Sequence, residues 1–198
     1  VLARVLYYKG FNEYLVVAKL IEAQRNDVEF QLLGAIDSGN PSGVPQSVVE
    51  DAVSNGFINY LGTTSDVLPI IREANCMVLP SYREGISRVL MEAASMEKPI
   101  IATNVTGCRE VINDGETGFL CKVKSPVDLA HKMAKIINMT EKEKVVMGQK
   151  GRVKVIEEMD LEKIIDIYDY KIAAVLGEEE GITVDLQELI SLRKTKKI

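Results

Sequence analysis

One histidine, His131, is all this sequence holds. It falls on an expected helix with no second ligand beside it, so neither a histidine-built metal centre nor a histidine general base is offered. The three cysteines, Cys76, Cys108 and Cys121, are scattered, and no Cys-x-x-Cys occurs. An odd, unpaired set argues against a disulfide framework and for a reducing compartment, so a cytoplasmic setting is expected. Cys76 and Cys121 lie in or beside apolar runs and read as packing residues. No apolar run approaches the ~20 residues needed to span a bilayer. The usual phosphate motifs are also missing. Without a G-x-G-x-x-G after a strand, or a G-x-x-x-x-G-K, the chain is neither a typical dehydrogenase nor a P-loop enzyme.

What is present is enough for one well-packed domain: 198 residues, 46% of them hydrophobic. The net charge of −5 does not favour nucleic acid as a partner. Short apolar runs alternate with helical patterns, which predicts an α/β fold: a Rossmann-like three-layer parallel sheet with helices on both faces. Strands are expected over 1–6, 28–34, 58–62, 76–80, 100–103 and 119–121. Helices are expected over 12–25, 46–54, 67–74, 87–96, 109–113, 126–137, 141–158 and 161–176. Leu15, Ala18, Leu20 and Ile21 give the first helix a stripe of roughly 3.6-residue period. The turn-forming run Asp37-Ser38-Gly39-Asn40-Pro41-Ser42-Gly43 lies at a strand's C-terminal end, the ligand edge of open α/β sheets.

The most informative stretch is Pro80-Ser81-Tyr82-Arg83-Glu84-Gly85-Ile86-Ser87-Arg88-Val89-Leu90-Met91-Glu92. A carboxylate closes a strand-to-helix loop, and a second follows eight positions later inside the helix. Eight helical residues rise about 12 Å, comparable to a sugar diphosphate with its ribose. Between the acids lies a helix start, whose free N–H groups and positive dipole suit a diphosphate. Hydroxyl acceptors would thus flank an anion site. A capped amphipathic helix with two solvated acids fits the same spacing about as well.

This stretch resembles the signature of the family four retaining glycosyltransferases, which have the GT-B fold. The family places a Glu, seven residues and a Glu after a strand end like Val78-Leu79-Pro80-Ser81. The resemblance continues through Lys98-Pro99-Ile100-Ile101-Ala102-Thr103-Asn104, Gly107-Cys108-Arg109-Glu110-Val111-Ile112 and Asp114-Gly115-Glu116-Thr117-Gly118-Phe119-Leu120. Upstream, Arg4 and Lys9-Gly10 resemble the family's phosphate-binding pair. The match runs from about Arg4 to about Tyr170. It departs at Glu97, where the family usually has Gly, and at Ser87, where it often has Pro; Ser87 suits an N-cap in its own right.

The resemblance implies a donor site that takes a UDP- or GDP-linked sugar as substrate, with no cofactor and no metal; the Asp-x-Asp pair of metal-dependent sugar transferases is absent. Arg4 and Lys9 would stabilise the leaving diphosphate, and Glu84 would face the sugar. Gly85 and Ile86 would offer backbone N–H groups, as would Ser87, Val89 and Leu90, and Glu92 would accept the ribose hydroxyls. Thr63, in the loop after Leu61-Gly62, would lie near the base, although a polar turn ending at Asp66 reads equally well as a cap. Arg83 and Arg88 flank the site, in either a phosphate or an ion-pair role. Glu110 reads as structural. No covalent nucleophile stands out, in keeping with front-face transfer assisted by the leaving phosphate.

Residues 1–176 are therefore expected to form the nucleotide-sugar-binding half of a GT-B enzyme, whose N-terminal acceptor domain lies outside this chain. Residues 177–198 read as a linker and a short amphipathic helix with a basic end, Arg193-Lys194-Thr195-Lys196-Lys197. This segment is expected to bridge domains or to pack on the chain itself, with weak peripheral membrane contact through its basic end as the other reading. The expected function is donor binding in a retaining glycosyltransferase of surface polysaccharide synthesis, with a glycan or lipid-linked acceptor bound through the other half. The alternatives are a non-catalytic nucleotide-binding or interaction module on the same fold, or an epimerase, which would want further acids or a histidine near the sugar.

Overall fold

The computed structural model describes residues 1–176. Two parallel sheets form its centre. β1 (Gln31–Leu32) pairs with β2 (Asn59–Tyr60), Gln31 lying opposite Asn59. β3 (Met77–Leu79), β4 (Ile100–Thr103) and β5 (Phe119–Cys121) form a second sheet in that order, with Val78 opposite Ile101 and Ala102 opposite Leu120. Every residue of β3 and β4 is buried. This is why both read in sequence as continuous apolar runs rather than alternating ones, as strands covered on both faces do.

The helices are α1 (Phe11–Glu22), α2 (Gln46–Ser54), α3 (Leu68–Glu73), α4 (Arg88–Ser95), α5 (Thr106–Arg109), α6 (Pro126–Asn138), α7 (Glu141–Glu158) and α8 (Leu161–Leu176). α1 packs on α6, and α4 on α7. α6 begins as its sequence dictates: Pro126 takes the first turn, and the Ser125 hydroxyl accepts the Asp128 N–H at 3.3 Å. The core is built from Val17, Ala18, Phe30, Leu32, Val78, Ile101, Leu129 and Ile136. Buried Tyr14 meets Phe30 edge-on at 5.3 Å and donates its hydroxyl to the Gln31 carbonyl.

Two elements differ from expectation. Residues 1–6 run beside β1, donating Ala3 N–H to Leu33 O and Val5 N–H to Ala35 O, but their ladder is reduced to isolated bridges. The side of this segment that faces β3 carries no ladder, and a cavity of about 390 Å³ opens there between Leu2 and Met77. The helix expected over 109–113 starts three residues earlier, at Thr106, and takes in Gly107. Propensity places a glycine before a helix rather than inside it; a close tertiary approach, described below, overrides propensity.

Residues Val1–Glu158 form one compact unit, and a second opens at Met159, of which α8 is described. The linker and helix expected over 177–198 lie outside the described residues. Among the described residues no helix is long and apolar enough to cross a membrane.

The turn between α4 and β4 explains the departure at residue 97. Glu97 has φ +58°, a left-handed conformation that glycine adopts without penalty. The Lys98 N–H closes the turn on the Ala93 carbonyl at 3.0 Å. Glu97 also stands 3.9 Å from the exposed Arg152, a weak surface pair. We expect Glu97→Gly to raise stability by about 0.5–1 kcal/mol, as removal of left-handed strain outweighs the lost pair. Urea unfolding checks it; a drop in stability would mean the pair dominates.

Candidate functional site

Strand β3 ends at Leu79, and Pro80 and Ser81 carry the chain out at the C-terminal edge of the sheet. Ser81 is fully buried. Its hydroxyl lies 3.3 Å from the Tyr8 carbonyl and 3.1 Å from that of Arg83, and its own carbonyl accepts the Thr103 hydroxyl. The Tyr82 N–H donates to the Tyr8 carbonyl at 2.8 Å. These bonds join the β3 exit to the 3₁₀ turn Tyr7–Lys9. That turn ends at Gly10, with φ +81°, where a β-carbon would lie 2.2 Å from the Pro80 carbonyl oxygen. Only glycine lets the two loops meet so closely.

The consequence is a meeting of two predicted residues 75 positions apart: Lys9 Nζ lies 2.6 Å from Glu84 Oε1. The side chains are 20% and 12% exposed, so the pair is largely withdrawn from water. Its charges are mutually satisfied, and each keeps hydrogen-bonding capacity for a ligand.

Arg4 is 57% exposed. It stands 3.6 Å from Asp37 and within 3.4 Å of the Tyr8 hydroxyl. Tyr8 in turn lies beneath Arg83, whose guanidinium is 5.4 Å from the ring centre. Asp37 opens the turn-rich loop noted in the sequence, and that loop closes on the Tyr7 N–H through the Ser42 carbonyl at 2.8 Å.

Glu92 lies in α4, 22% exposed, and its carboxylate accepts from Arg88 Nε at 2.8 Å. Arg88 itself is 87% exposed. Of the two roles open to Arg88, the structure displays the ion pair. Helical geometry spans only Arg88–Ser95. The Glu84–Glu92 spacing is therefore set by a bend through Gly85, Ile86 and Ser87 followed by one helical turn, and the uniform helical rise assumed from sequence does not apply.

Ser87 occupies the N-cap, and its carbonyl accepts from the N–H groups of Leu90 and Met91, both at 3.1 Å; its hydroxyl makes no capping bond. Leu90 N–H is thereby occupied and its side chain is buried. Gly85 and Ile86 are exposed at the helix entrance, and Val89 is half-buried. Thr63 is exposed in the loop after β2. Beside it, Asp66 accepts the Leu68 N–H at 3.0 Å, a local turn just ahead of α3, whose N-cap Val67 has no side-chain capping bond.

Cys108 sits beneath this site, fully buried. Burial, with the Glu84 charge adding to it, pushes its thiol up to about 12, so it stays neutral at physiological pH. Among the described residues no group of three or more His, Cys, Asp or Glu is placed to hold a metal ion. The large cavity near Leu2 is lined by residues such as Leu33, Met77 and Ile136 at the start of β3, so it lies at the opposite end of that strand from Glu84.

Residues 1–154 match a family described as Glycosyl transferases group 1. The chain belongs to the group 1 glycosyl transferases. Among its relatives is the capsular polysaccharide biosynthesis glycosyltransferase CapM of Staphylococcus aureus, 28% identical over 178 residues, which covers 90% of this chain and 46% of CapM. A second is the N,N'-diacetylbacillosaminyl-diphospho-undecaprenol alpha-1,3-N-acetylgalactosaminyltransferase of Campylobacter jejuni, 29% identical over 69% of this chain and 34% of that protein. The chain thus spans less than half the length of these relatives. In fold it is similar to Anabaena HepE, solved in complex with UDP, with a TM-score of 0.77 and 19% identity over 87% of this chain and 47% of that one. The α/β, GT-B-type architecture implied by the sequence resemblance therefore stands for this group 1 chain.

Sequence reasoning missed Asp37 and Tyr8 as neighbours of Arg4. Tyr8 sits next to Lys9 in the stretch already singled out, and Asp37 begins the turn-forming loop. The signal available was their position on the ligand edge, without any motif to mark them.

Proposed function

We propose that this chain is the donor-binding half of a retaining, metal-independent glycosyltransferase that moves a sugar from a nucleoside diphosphate sugar to a glycan or lipid-linked acceptor. The observation that carries it is the Lys9–Glu84 pair, held at 2.6 Å at the sheet edge just before the start of α4. In this reading Lys9 and Arg4 bind the diphosphate, and free N–H groups at the helix entrance complete the anion site. Glu84 accepts a sugar hydroxyl, and Glu92 exchanges Arg88 for the two ribose hydroxyls. The bond from the anomeric carbon to the diphosphate breaks while the acceptor oxygen bonds to that carbon on the same face. The acceptor proton passes to the departing diphosphate. Negative charge grows on that group, where the two cations stabilise it.

The acceptor would be held by a part of the enzyme beyond this chain, in keeping with the share of its relatives that the chain covers. The proposed setting is the cytoplasmic side of a membrane, in surface polysaccharide synthesis. The family and the name of CapM support surface polysaccharide synthesis; the cytoplasmic side is part of the proposal.

Calorimetric titration of UDP, GDP and ADP into the chain tests this, repeated with Glu92→Ala. The expected outcome is selective binding of one diphosphate, weakened about tenfold or more by the substitution, or some 1.4 kcal/mol. Binding that ignores Glu92→Ala would remove Glu92 from the site. No binding by this chain or by the full-length protein would leave a fold without the function.

A further inference from the structure

We propose that Gly107 and Thr103 are positioning residues for Glu84, an inference that rests on the sugar-facing role proposed for that carboxylate. Gly107 lies within α5, directly against the Glu84–Gly85 turn. A β-carbon there would fall 1.8 Å from the Gly85 carbonyl oxygen, 2.3 Å from its carbon and 2.7 Å from the Glu84 carbonyl oxygen. All three are backbone atoms, so no side-chain rotation relieves the overlap. Any other residue at 107 must push the turn away from α5.

The turn is not free to yield as a whole. From beneath, Thr103 donates its hydroxyl to the Ser81 carbonyl, and both residues are buried. Ser81 and Tyr82 are tied in turn to the Tyr8 carbonyl. Ser81 and Tyr82 are thus held in place, and the strain at 107 falls on the turn that carries Gly85 and the Glu84 carboxylate, and on α5 facing it. Lys9 meets that carboxylate from a separate turn at 2.6 Å, so a shift of the Glu84 backbone changes where the carboxylate stands relative to its cation. Glycine is among the poorest residues for a helix interior. Its presence inside α5 is explained by this approach rather than by local preference.

A substitute at 107 reaches the sugar through Glu84, whereas a shift of the Gly85 peptide acts on the diphosphate. The affinity for the conjugate relative to the diphosphate therefore isolates the effect through Glu84, and gives the proposal a test that a general loss of stability would not satisfy. UDP and UDP-glucose, or GDP and GDP-mannose if GDP is the diphosphate bound, are titrated into the chain and into Gly107→Ala, Thr103→Val, Glu84→Gln and each double variant with Glu84→Gln. Gly107→Ala and Thr103→Val should each lower the affinity for the sugar conjugate about tenfold relative to the diphosphate alone. Neither should lower it further once Glu84 is Gln, because residues acting through one group are not additive. Independent, multiplying losses would overturn the proposal while leaving Glu84 in its role. A Glu84→Gln chain that binds the conjugate as well as the parent would overturn the role of Glu84 and the proposal with it. If Gly107→Ala does not fold, the Thr103→Val cycle decides on the same criteria.

Discussion

Lys9→Met should reduce sugar transfer by the full-length enzyme at saturating donor by roughly 10²–10³-fold, the loss typical when one preorganised group facing developing negative charge is removed. Methionine keeps most of the length and packing of the side chain, so the loss of the charged amine is the main change. Two effects combine. In the proposed reaction, the leaving diphosphate loses a cation placed where its charge grows. Glu84, only 12% exposed, loses the partner that lies 2.6 Å away. A carboxylate left alone in such a place is destabilising; for a pair that keeps some water contact we expect about 1–3 kcal/mol of lost stability, below the 3–5 kcal/mol of fully buried pairs. Steady-state kinetics and urea unfolding of the same variant separate the two. Transfer within about threefold of the parent would show that Lys9 does not face the reacting group. A stability loss without a kinetic one would make the pair structural.

The second large effect is expected far from the site. Gly148 lies in α7 where that helix crosses the turn after α4. A β-carbon at 148 would meet the Glu97 carbonyl oxygen at 1.8 Å and its carbon at 2.5 Å. The obstacle is backbone, so α7 must back away from α4 along its length. Gly148→Ala should cost roughly 2–3 kcal/mol, the upper part of the range for overpacking. Gly151, one turn further along the same helix, makes the control. An added β-carbon there finds Thr117 O at 3.5 Å and the Ala94 and Thr117 side chains at 3.8 Å, all ordinary contacts. Gly151→Ala should therefore stabilise by up to about 1 kcal/mol through helix propensity. Chemical denaturation of both variants gives the comparison. Effects of the same sign would mean that the α4–α7 interface adjusts more readily than its backbone contact implies.

These two glycines also show where sequence reading ends. Nothing in the sequence of α7 separates Gly148 from Gly151; only the neighbouring chain distinguishes them. The strands were legible because apolar runs such as Met77–Leu79 and Ile100–Thr103 are buried on both faces. Helix α4 was legible to within a residue at each end, since Ser87 and the turn at Glu97 bound it. The motif series assigns Lys9 and Glu84 to one site, but their direct contact is a finding of the structure, since nothing in a linear pattern gives it. Asp37 and Tyr8 carry no motif that marks them as site contacts, because their meeting with Arg4 depends on which loops the sheet edge gathers; for Arg88 the sequence leaves an ion pair open without naming Glu92 as its partner. α5 was misplaced because Gly107 obeys a contact across the fold and not the preferences of its own segment.

Arg4, Lys9 and Arg88 each stand beside an acid: Asp37, Glu84 and Glu92. These three pairs cancel one another's charge, and charges paired in this way draw a distant anion only weakly. A diphosphate sugar arriving here would be selected at contact, by partner exchange: its phosphates take over the cations, and its hydroxyls replace those cations on the acids. Recognition built this way rewards a molecule that carries both kinds of group at the right separation, and gives a bare anion of equal charge only half the exchange.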